Sequence, residues 1–170
     1  DHEEYINSLP AFNGCSWSGS AYPWCKQYCP MWCWATVTGS MGHYYKGHTG
    51  SCIENQCNAL IAARHMTCCS GTRPNCQGTC GRAGSMSEIM SVLRSAASKH
   101  SFRQSSSYPS QSQLDSLLSK GTPVARLING HITAVAGCRN GQYRLVDSCA
   151  SGDRWMSYSQ ITRGWIKTIY

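Results

Sequence analysis

The sequence predicts an α+β fold in which helices come first and an antiparallel sheet follows. Two observations lead to this prediction. Before residue 121, apolar residues recur at helical spacing in several stretches, and from Pro123 onward short runs typical of strands replace them. A length of 170 residues fits one domain. We therefore expect a single domain over 1–170, with an irregular segment over 1–24, a mainly helical part over 25–121 and a mainly β part over 122–170.

Two helices are predicted early in the helical part, each with one apolar stripe. The first runs from Trp34 to Tyr45 and the second from Ile53 to Met66. The stretch from Cys68 to Gly84, with its Cys, Gly, Asn and Pro residues, cannot build a core of its own, so we expect an irregular loop that disulfides hold. The residues expected to face the core are Trp34, Val37, Met41 and Tyr44 in the first helix and Ile53, Cys57, Leu60 and Ile61 in the second.

Two further helices are predicted from capping signals. Ser85-Met86-Ser87-Glu88 has the capping-box pattern. Ser112, with Asp115 three residues later, would cap a shorter helix that Gly121 ends. The apolar faces would consist of Ile89, Met90, Leu93 and Ala97 in the longer helix and Leu114, Leu117 and Leu118 in the shorter one.

The β part should contain five strands, and the connection between the second and third decides their register. A wide loop over Gly137 to Gly141 would bring His131 opposite Asp147. A tight Asn140-Gly141 turn would instead place Asp147 against Ala134, on the other face. The predicted strands are 124–128, 132–136, 143–146, 155–156 and 165–170.

Composition narrows the function classes. The net charge is +7, but the fifteen Lys and Arg residues are scattered singly, which argues against nucleic-acid binding. No apolar run approaches the ~20 residues that span a bilayer, so we expect no membrane insertion. Twelve cysteines indicate an oxidising, extracellular setting. The chain begins with the polar run Asp1-His2-Glu3-Glu4, so we expect a mature secreted protein that has lost a signal peptide and an inhibitory pro-segment.

Cys33 is the candidate nucleophile. It would lie at the N-terminus of the first helix, where unsatisfied N–H groups and the positive end of the helix dipole favour a thiolate. Gln27, six residues earlier, could turn its amide N–H toward an oxyanion beside the backbone N–H of Cys33. The neighbouring Trp32 and Trp34 are candidates for lining a cleft.

This stretch resembles a known family. A Gln followed after five residues by Cys-Trp-Ala at the start of a long helix resembles the active-site helix of papain-like cysteine proteases. Later landmarks resemble the small bacterial papain-like peptidases, a group similar to the peptidase domains of bacteriocin processing and of plant-pathogen effectors. The resemblance runs from Gln27 to the end and implies a papain-like fold, in which the Cys helix packs against a sheet carrying His and Asp. The later landmarks are Gln56-Cys57, Cys68-Cys69-Ser70, Asn75-Cys76, Gly121-Thr122-Pro123-Val124, Gly130-His131-Ile132-Thr133-Ala134-Val135 and Leu145-Val146-Asp147.

His131 is the candidate base and Asp147 the residue that would orient its ring. His131 follows Asn129-Gly130 at a predicted strand start; a hydrogen-bonded histidine at a strand end is the structural alternative. Papain itself has Asn at the position of Asp147, whereas the bacterial relatives that resemble this chain have Asp. His43 lies ten residues after Cys33 on the same helix, at nearly the opposite rotation. The other histidines, His2, His48, His65 and His100, fall in loops or at helix ends.

The predicted function is a secreted cysteine endopeptidase. It would hydrolyse peptide bonds of a protein or peptide substrate through Cys33, His131 and Asp147, with Gln27 at the oxyanion and a thioester acyl-enzyme as intermediate. We expect a monomer with no cofactor and no metal. Two alternatives stay open: an acyl-transfer relative such as a deamidase or transglutaminase, and a disulfide-rich effector or binding protein without the chemistry.

Cysteine arithmetic leaves the role of Cys33 open. If Cys33 is a thiol, eleven cysteines remain, so at least one other must also stay outside an intrachain disulfide. Six disulfides that include Cys33 are the alternative. Cys25, Cys29 and Cys33 could also bind zinc with His43, although Pro30 interrupts the helix that such a site needs.

Overall fold

The computed structural model describes residues 15–47 and 50–170. The chain forms two compact units. The helical unit comprises 21–102 and 147–152; the sheet unit comprises 103–146, 153–170 and the described residues before 21. The predicted α+β class is confirmed. Of the irregular segment predicted over 1–24, residues 15–24 contain no helix or strand beyond a bridge at Trp17, and 1–14 lie outside the described residues.

The helical unit is built on three helices. Helix α1 packs against both α2 and α4. The loop predicted between α2 and α4 contains a small hairpin and a one-turn helix, which the sequence pattern did not reveal. The elements in chain order are α1 (Cys33–Lys46), α2 (Cys52–Arg64), β1 (Cys69–Ser70), β2 (Arg73–Pro74), α3 (Gly78–Gly81) and α4 (Met86–Ala96).

Helix α1 is buried around its whole circumference over most of its length, from Trp34 to Gly42. The predicted stripe is buried at Trp34, Val37 and Met41 and half-buried at Tyr44, and burial extends beyond it to the polar side of the helix. Two glycines allow the neighbouring helices to approach. A Cβ atom on Gly39 would lie 2.7 Å from the Asn55 carbonyl oxygen, and one on Gly42 would lie 2.7 Å from the Cβ atom of Ala96.

Helices α2 and α4 follow their predicted patterns more closely. Ser51 caps α2 by accepting from the Glu54 N–H, and the capping box predicted for α4 at Ser85 and Glu88 is present. The expected apolar face of α4 is buried. The prediction that Ile61 of α2 faces the core is wrong, because Ile61 is 45% exposed at the end of the predicted apolar stripe.

Four disulfides stabilise the helical unit. Two of them anchor the segment that leads into α1, and the other two hold the loop after α2 as predicted. A fifth disulfide, Cys15–Cys138, lies in the sheet unit. The four are Cys25–Cys52, Cys29–Cys76, Cys57–Cys69 and Cys68–Cys80.

The sheet unit contains an antiparallel sheet in the order β3-β8-β4-β5-β6-β7. Its apolar core includes Leu114, Leu118, Val124, Val135 and Leu145. Since α5 contributes two of these residues, it belongs to the sheet unit, which begins again at residue 103. The elements are β3 (Gln104–Ser105), α5 (Gln111–Ser119), β4 (Val124–Ile128), β5 (His131–Arg139), β6 (Gln142–Val146), β7 (Arg154–Ser157), α6 (Tyr158–Ile161) and β8 (Lys167–Ile169).

The cap predicted for α5 is wrong. Ser110, not Ser112, accepts from the N–H of Gln113, and the Gln113 side chain returns the capping-box bond. Asp115 is 8% exposed and accepts from the Tyr143 hydroxyl inside the sheet unit. Both Ser110 and Ser112 fit the sequence pattern of a helix N-cap. The packing of Asp115 distinguishes the two possible starting positions of α5.

The wide loop predicted between β5 and β6 is also wrong. Arg139 pairs with Gln142 across a tight turn, in which Asn140 and Gly141 take the left-handed φ values of 48° and 75° that a type I′ hairpin needs. A bulge between Val135 and Cys138 then shifts the register by one residue. Beyond the bulge, each residue of β6 therefore pairs one position away from the residue of β5 that the tight turn alone would give it.

No helix among the described residues is long and apolar enough to cross a membrane.

An ion pair inside the helical unit should make stability depend on pH. The Glu88 carboxylate accepts from Arg64 Nε at 2.6 Å, and this bond lowers the pKa of Glu88 from 4.5 to about 2. Because the folded pKa lies below the unfolded one, the contribution is complete above pH 4.5 and is lost between pH 4.5 and 2. We expect Glu88→Gln to lower the free energy of unfolding by about 2–3 kcal/mol at pH 7.

Denaturant unfolding with the disulfides intact, at pH 7 and at pH 2, measures this loss. The matched control is Glu54→Gln, which changes an exposed carboxylate at the equivalent position of α2. An equal loss for Glu88→Gln at both pH values would contradict the assignment.

Candidate active site

Cys33 is the first residue of α1 and carries a half-buried thiol outside the five disulfides. Its position favours a thiolate. No side chain caps this N-terminus, and the first turn of α1 contains no acidic residue, so no protein anion in that turn competes for the positive end of the helix. A thiol in such a place ionises more readily than one in solution.

The tryptophans on either side of Cys33 anchor the start of α1. Trp32 is fully buried and donates from Nε1 to the Cys80 carbonyl at 2.7 Å. Trp34 is 2% exposed, and the Arg64 guanidinium lies 4.7 Å from the centre of its ring. The prediction that Trp32 and Trp34 line a cleft is therefore wrong: both belong to the core and hold the helix that presents Cys33.

The Gln27 carboxamide is hydrogen-bonded at both ends. Its Nε2 donates to the carbonyl oxygens of Cys29 at 3.1 Å and Pro30 at 2.7 Å. Its Oε1 accepts from the Ser148 hydroxyl at 2.7 Å and the Cys149 thiol at 3.1 Å. Backbone carbonyls can only accept, so this network assigns the amide nitrogen to the Cys29–Pro30 side. An oxyanion role for Gln27 would require one of these N–H groups to be shared or exchanged.

Asp147 begins the short turn 147–152, which belongs to the helical unit. The Trp24 indole donates to the Asp147 carbonyl at 2.9 Å, and the Cys149 N–H donates to Asp147 Oδ1 at 3.0 Å. The backbone N–H of Gln27 donates to the Ser148 carbonyl at 3.1 Å. The structure thus brings Gln27 and the residues after Asp147 together in the unit that contains Cys33.

His131 is the first residue of β5 and is half-buried in the sheet unit. It pairs with Ile128 across the β4–β5 hairpin, directly after the left-handed Gly130. Its predicted position at a strand start is therefore confirmed, while its role as a base stays a prediction.

The rival histidines have other surroundings. His43 Nδ1 lies 3.4 Å from Asn55 Nδ2, and His65 ends α2 in the left-handed conformation. The His100 ring stacks on Tyr45 at 4.5 Å, and burial lowers the pKa of His100. His2 and His48 lie outside the described residues.

Cys149 is the second thiol, and sequence reasoning did not identify it. Counting cysteines required one more thiol beside Cys33, but nothing in the pattern indicated which. Cys149 as a residue is exposed, but desolvation of its sulfur raises the pKa of the thiol. The charges of Asp147 and Cys33 raise this pKa further. With Cys25 and Cys29 in disulfides, the zinc alternative built on them is wrong, as is the alternative of six disulfides.

Comparison with known proteins identifies the fold. No protein-family model matches the chain, and no curated protein does. The structure matches the peptidase domain of Streptococcus ComA, a bi-functional ABC transporter involved in a quorum-sensing pathway. The TM-score is 0.54 at 20% identity, over 88% of this chain and 96% of that chain. The predicted papain-like fold, similar to that of a bacterial peptidase domain, is thus confirmed.

The raised pKa of Cys149 predicts slow alkylation at neutral pH. Its thiol should stay protonated at pH 7 and react with iodoacetamide only as pH rises past 9, its ordinary pKa. Since a nearby negative charge opposes ionisation, Asp147→Asn should shift the rate profile of Cys149 to lower pH. Peptide mapping of alkylated Cys149 from pH 6 to 10 measures the shift.

The control is Glu54→Gln, which removes an exposed carboxylate elsewhere in the helical unit. An unchanged profile in Asp147→Asn, or fast alkylation of Cys149 at pH 7, would be incompatible with the electrostatic surroundings described above.

Proposed function

We propose that the protein is a secreted cysteine endopeptidase whose nucleophile is Cys33, with His131 as base and Asp147 as the residue that orients it. The observation that carries this proposal is a thiol kept at an uncapped helix N-terminus, in a papain-like fold that commits ten other cysteines to disulfides. A structural cysteine would gain stability from pairing, so a thiol retained at this place favours chemistry.

The proposed reaction proceeds in two steps. The Cys33 thiolate attacks the carbonyl carbon of a peptide bond, and the His131 imidazolium gives its proton to the leaving amine. The neutral imidazole then takes a proton from water as the water attacks the thioester carbonyl carbon. The C–S bond breaks, the carboxylic acid is released, and the Cys33 thiolate and His131 imidazolium are restored. The backbone N–H of Cys33 and the Gln27 amide would stabilise the oxyanion in both steps.

Two features support the remaining parts of the proposal. A protein of similar structure, the peptidase domain of Streptococcus ComA, favours peptide hydrolysis here. Five disulfides are typical of proteins in oxidising, extracellular surroundings, which favours secretion. A polypeptide is the proposed substrate, the enzyme is proposed to act as a monomer, and an inhibitory pro-segment is a proposed partner. No cofactor enters the reaction as proposed.

Replacing the nucleophile should abolish hydrolysis. We expect Cys33→Ala to reduce cleavage of an unstructured protein such as casein to background, and an epoxysuccinyl inhibitor to label Cys33 in the wild type. Initial rates and peptide mapping of the label measure both. Cys149→Ser is the matched control, since it removes the other thiol, and label and cleavage should persist in it.

Three other outcomes would decide against peptide hydrolysis. Label at Cys33 with release of ammonia, or with cross-linking of amines to glutamine, would identify a deamidase or a transglutaminase. Absence of label from Cys33 would favour a binding protein that keeps only the fold.

The role of Asp147 can be tested by comparing two substitutions. Asn retains a carbonyl oxygen that can accept from the imidazole N–H, whereas Ala does not, so Asp147→Asn should keep more activity than Asp147→Ala. We expect Asp147→Ala to lower kcat/KM by about 10²-fold or more, within the usual range for general acid–base catalysis. Asp153→Asn, in the turn that leads to β7, tests for a nonspecific effect of losing a nearby carboxylate. Equal losses in Asp147→Asn and Asp147→Ala would show that charge, and not hydrogen bonding, is what Asp147 supplies.

A further inference from the structure

Cys33 and Cys149, the two cysteines outside the five disulfides, lie in the same unit. All twelve cysteines fall within the described residues, so these two are what remains after pairing. They also interact electrostatically: the charge of Cys33 contributes to the raised pKa of Cys149. The geometry around Gln27 gives the structural relation between Cys149 and the start of α1.

Hydrogen bonds through a single side chain connect Cys149 to the turn that precedes Cys33. The Cys149 thiol donates to Gln27 Oε1 at 3.1 Å, and Gln27 Nε2 donates to the Pro30 carbonyl at 2.7 Å. One planar carboxamide therefore separates the Cys149 sulfur from the turn that leads into α1, three residues before Cys33.

We propose that Cys149 is the redox partner of Cys33, and that oxidation joins the two sulfurs in a sixth disulfide that removes the nucleophile. Reduction would restore it. The inference rests on the proposed function and adds regulation of the same site. The partner chemistry is a low-molecular-weight disulfide, such as glutathione disulfide, on the oxidising side and the corresponding thiol on the reducing side.

The exchange balances in two displacements. The Cys33 thiolate attacks one sulfur of glutathione disulfide and releases one glutathione thiolate, which takes up a proton. The Cys149 thiol then loses its proton and attacks the Cys33 sulfur, and the second glutathione leaves as a thiolate that takes up a proton. Two protein thiols have lost two protons and two electrons, and one glutathione disulfide has become two glutathione thiols.

Formation of this bond would break no helix or strand in the turn that carries Cys149. A disulfide needs Cα atoms about 4.4–6.8 Å apart, and the turn 147–152 contains no helix or strand that must be broken to adjust. The N–H groups of Cys149 and Ala150 donate to Asp147 within the turn, while bonds from the Trp24 indole to Asp147 and from the Gln27 N–H to Ser148 hold its first two residues. The side-chain bond that Cys149 gives up is the one to Gln27 Oε1, which still accepts from Ser148.

Titration with glutathione redox buffers tests the proposal on the intact protein. We follow peptide cleavage, inhibitor labelling of Cys33 and the disulfide map at constant total glutathione. In the wild type we expect a Cys33–Cys149 disulfide without a glutathione adduct, with loss of labelling and cleavage, all reversed by reduced glutathione. The other five disulfides should not change over this range.

Cys149→Ser is the decisive variant, because its hydroxyl can still donate to Gln27 Oε1. Without a second thiol, Cys33 can only form a mixed disulfide with glutathione. That reaction lacks the effective concentration of an intramolecular partner, so inactivation should need at least about tenfold more glutathione disulfide than in the wild type. Ser151→Ala, in the same turn, controls for a change of local structure and should titrate as the wild type does.

Three outcomes would overturn the inference: equal inactivation midpoints for wild type and Cys149→Ser, no Cys33–Cys149 peptide at any redox poise, or undiminished cleavage when that peptide is present. Failure of the proposed function would look different. The disulfide would then form and hide Cys33 from labelling, while no redox state of the protein cleaved peptides.

Discussion

Disulfide pairing is the constraint on which the candidate site depends. The segment before α1 is anchored at two points, by Cys25–Cys52 and by Cys29–Cys76. Gln27 lies between these two anchors, so the backbone that leads to Cys33 has few alternative conformations. Loop closure by disulfides removes such alternatives chiefly from the unfolded chain. The same pairing leaves a thiol at Cys33, so one set of bonds both positions the proposed nucleophile and sets it apart from the paired cysteines.

Burial of α1 adds the second constraint. The indoles of Trp32 and Trp34 lie in the core on either side of Cys33, and Gly39 and Gly42 let the neighbouring helices approach closely. A helix packed on all sides cannot rotate without breaking many contacts. The orientation of the half-buried Cys33 thiol at its N-terminus is therefore determined by packing further along the helix, and not by a local cap.

The turn 147–152 after β6 contacts the segment before α1 and carries the cysteine through which we propose that Cys33 is regulated. Through Ser148 and Cys149 it holds the acceptor end of the Gln27 carboxamide, and through Asp147 it accepts the Trp24 indole. A thiol in such a turn can change its bonding without unfolding a helix or a strand. This combination, a rigid nucleophile helix beside an adjustable turn, is what makes a reversible disulfide at Cys33 physically reasonable.

The sequence by itself determined the α+β order, the start of α1 at Cys33, the capping box of α4 and the strand at His131, because each follows from local periodicity or capping. It did not determine the cap of α5, the register of β5 and β6, or the burial of Trp32 and Trp34. In the β5–β6 hairpin, the tight turn and the bulge favour different registers. The register that forms depends on which faces of the strands the rest of the sheet unit buries. Only the tertiary structure selected Cys149 as the second thiol, since disulfide partners are chosen by distance in space, which spacing along the chain does not encode.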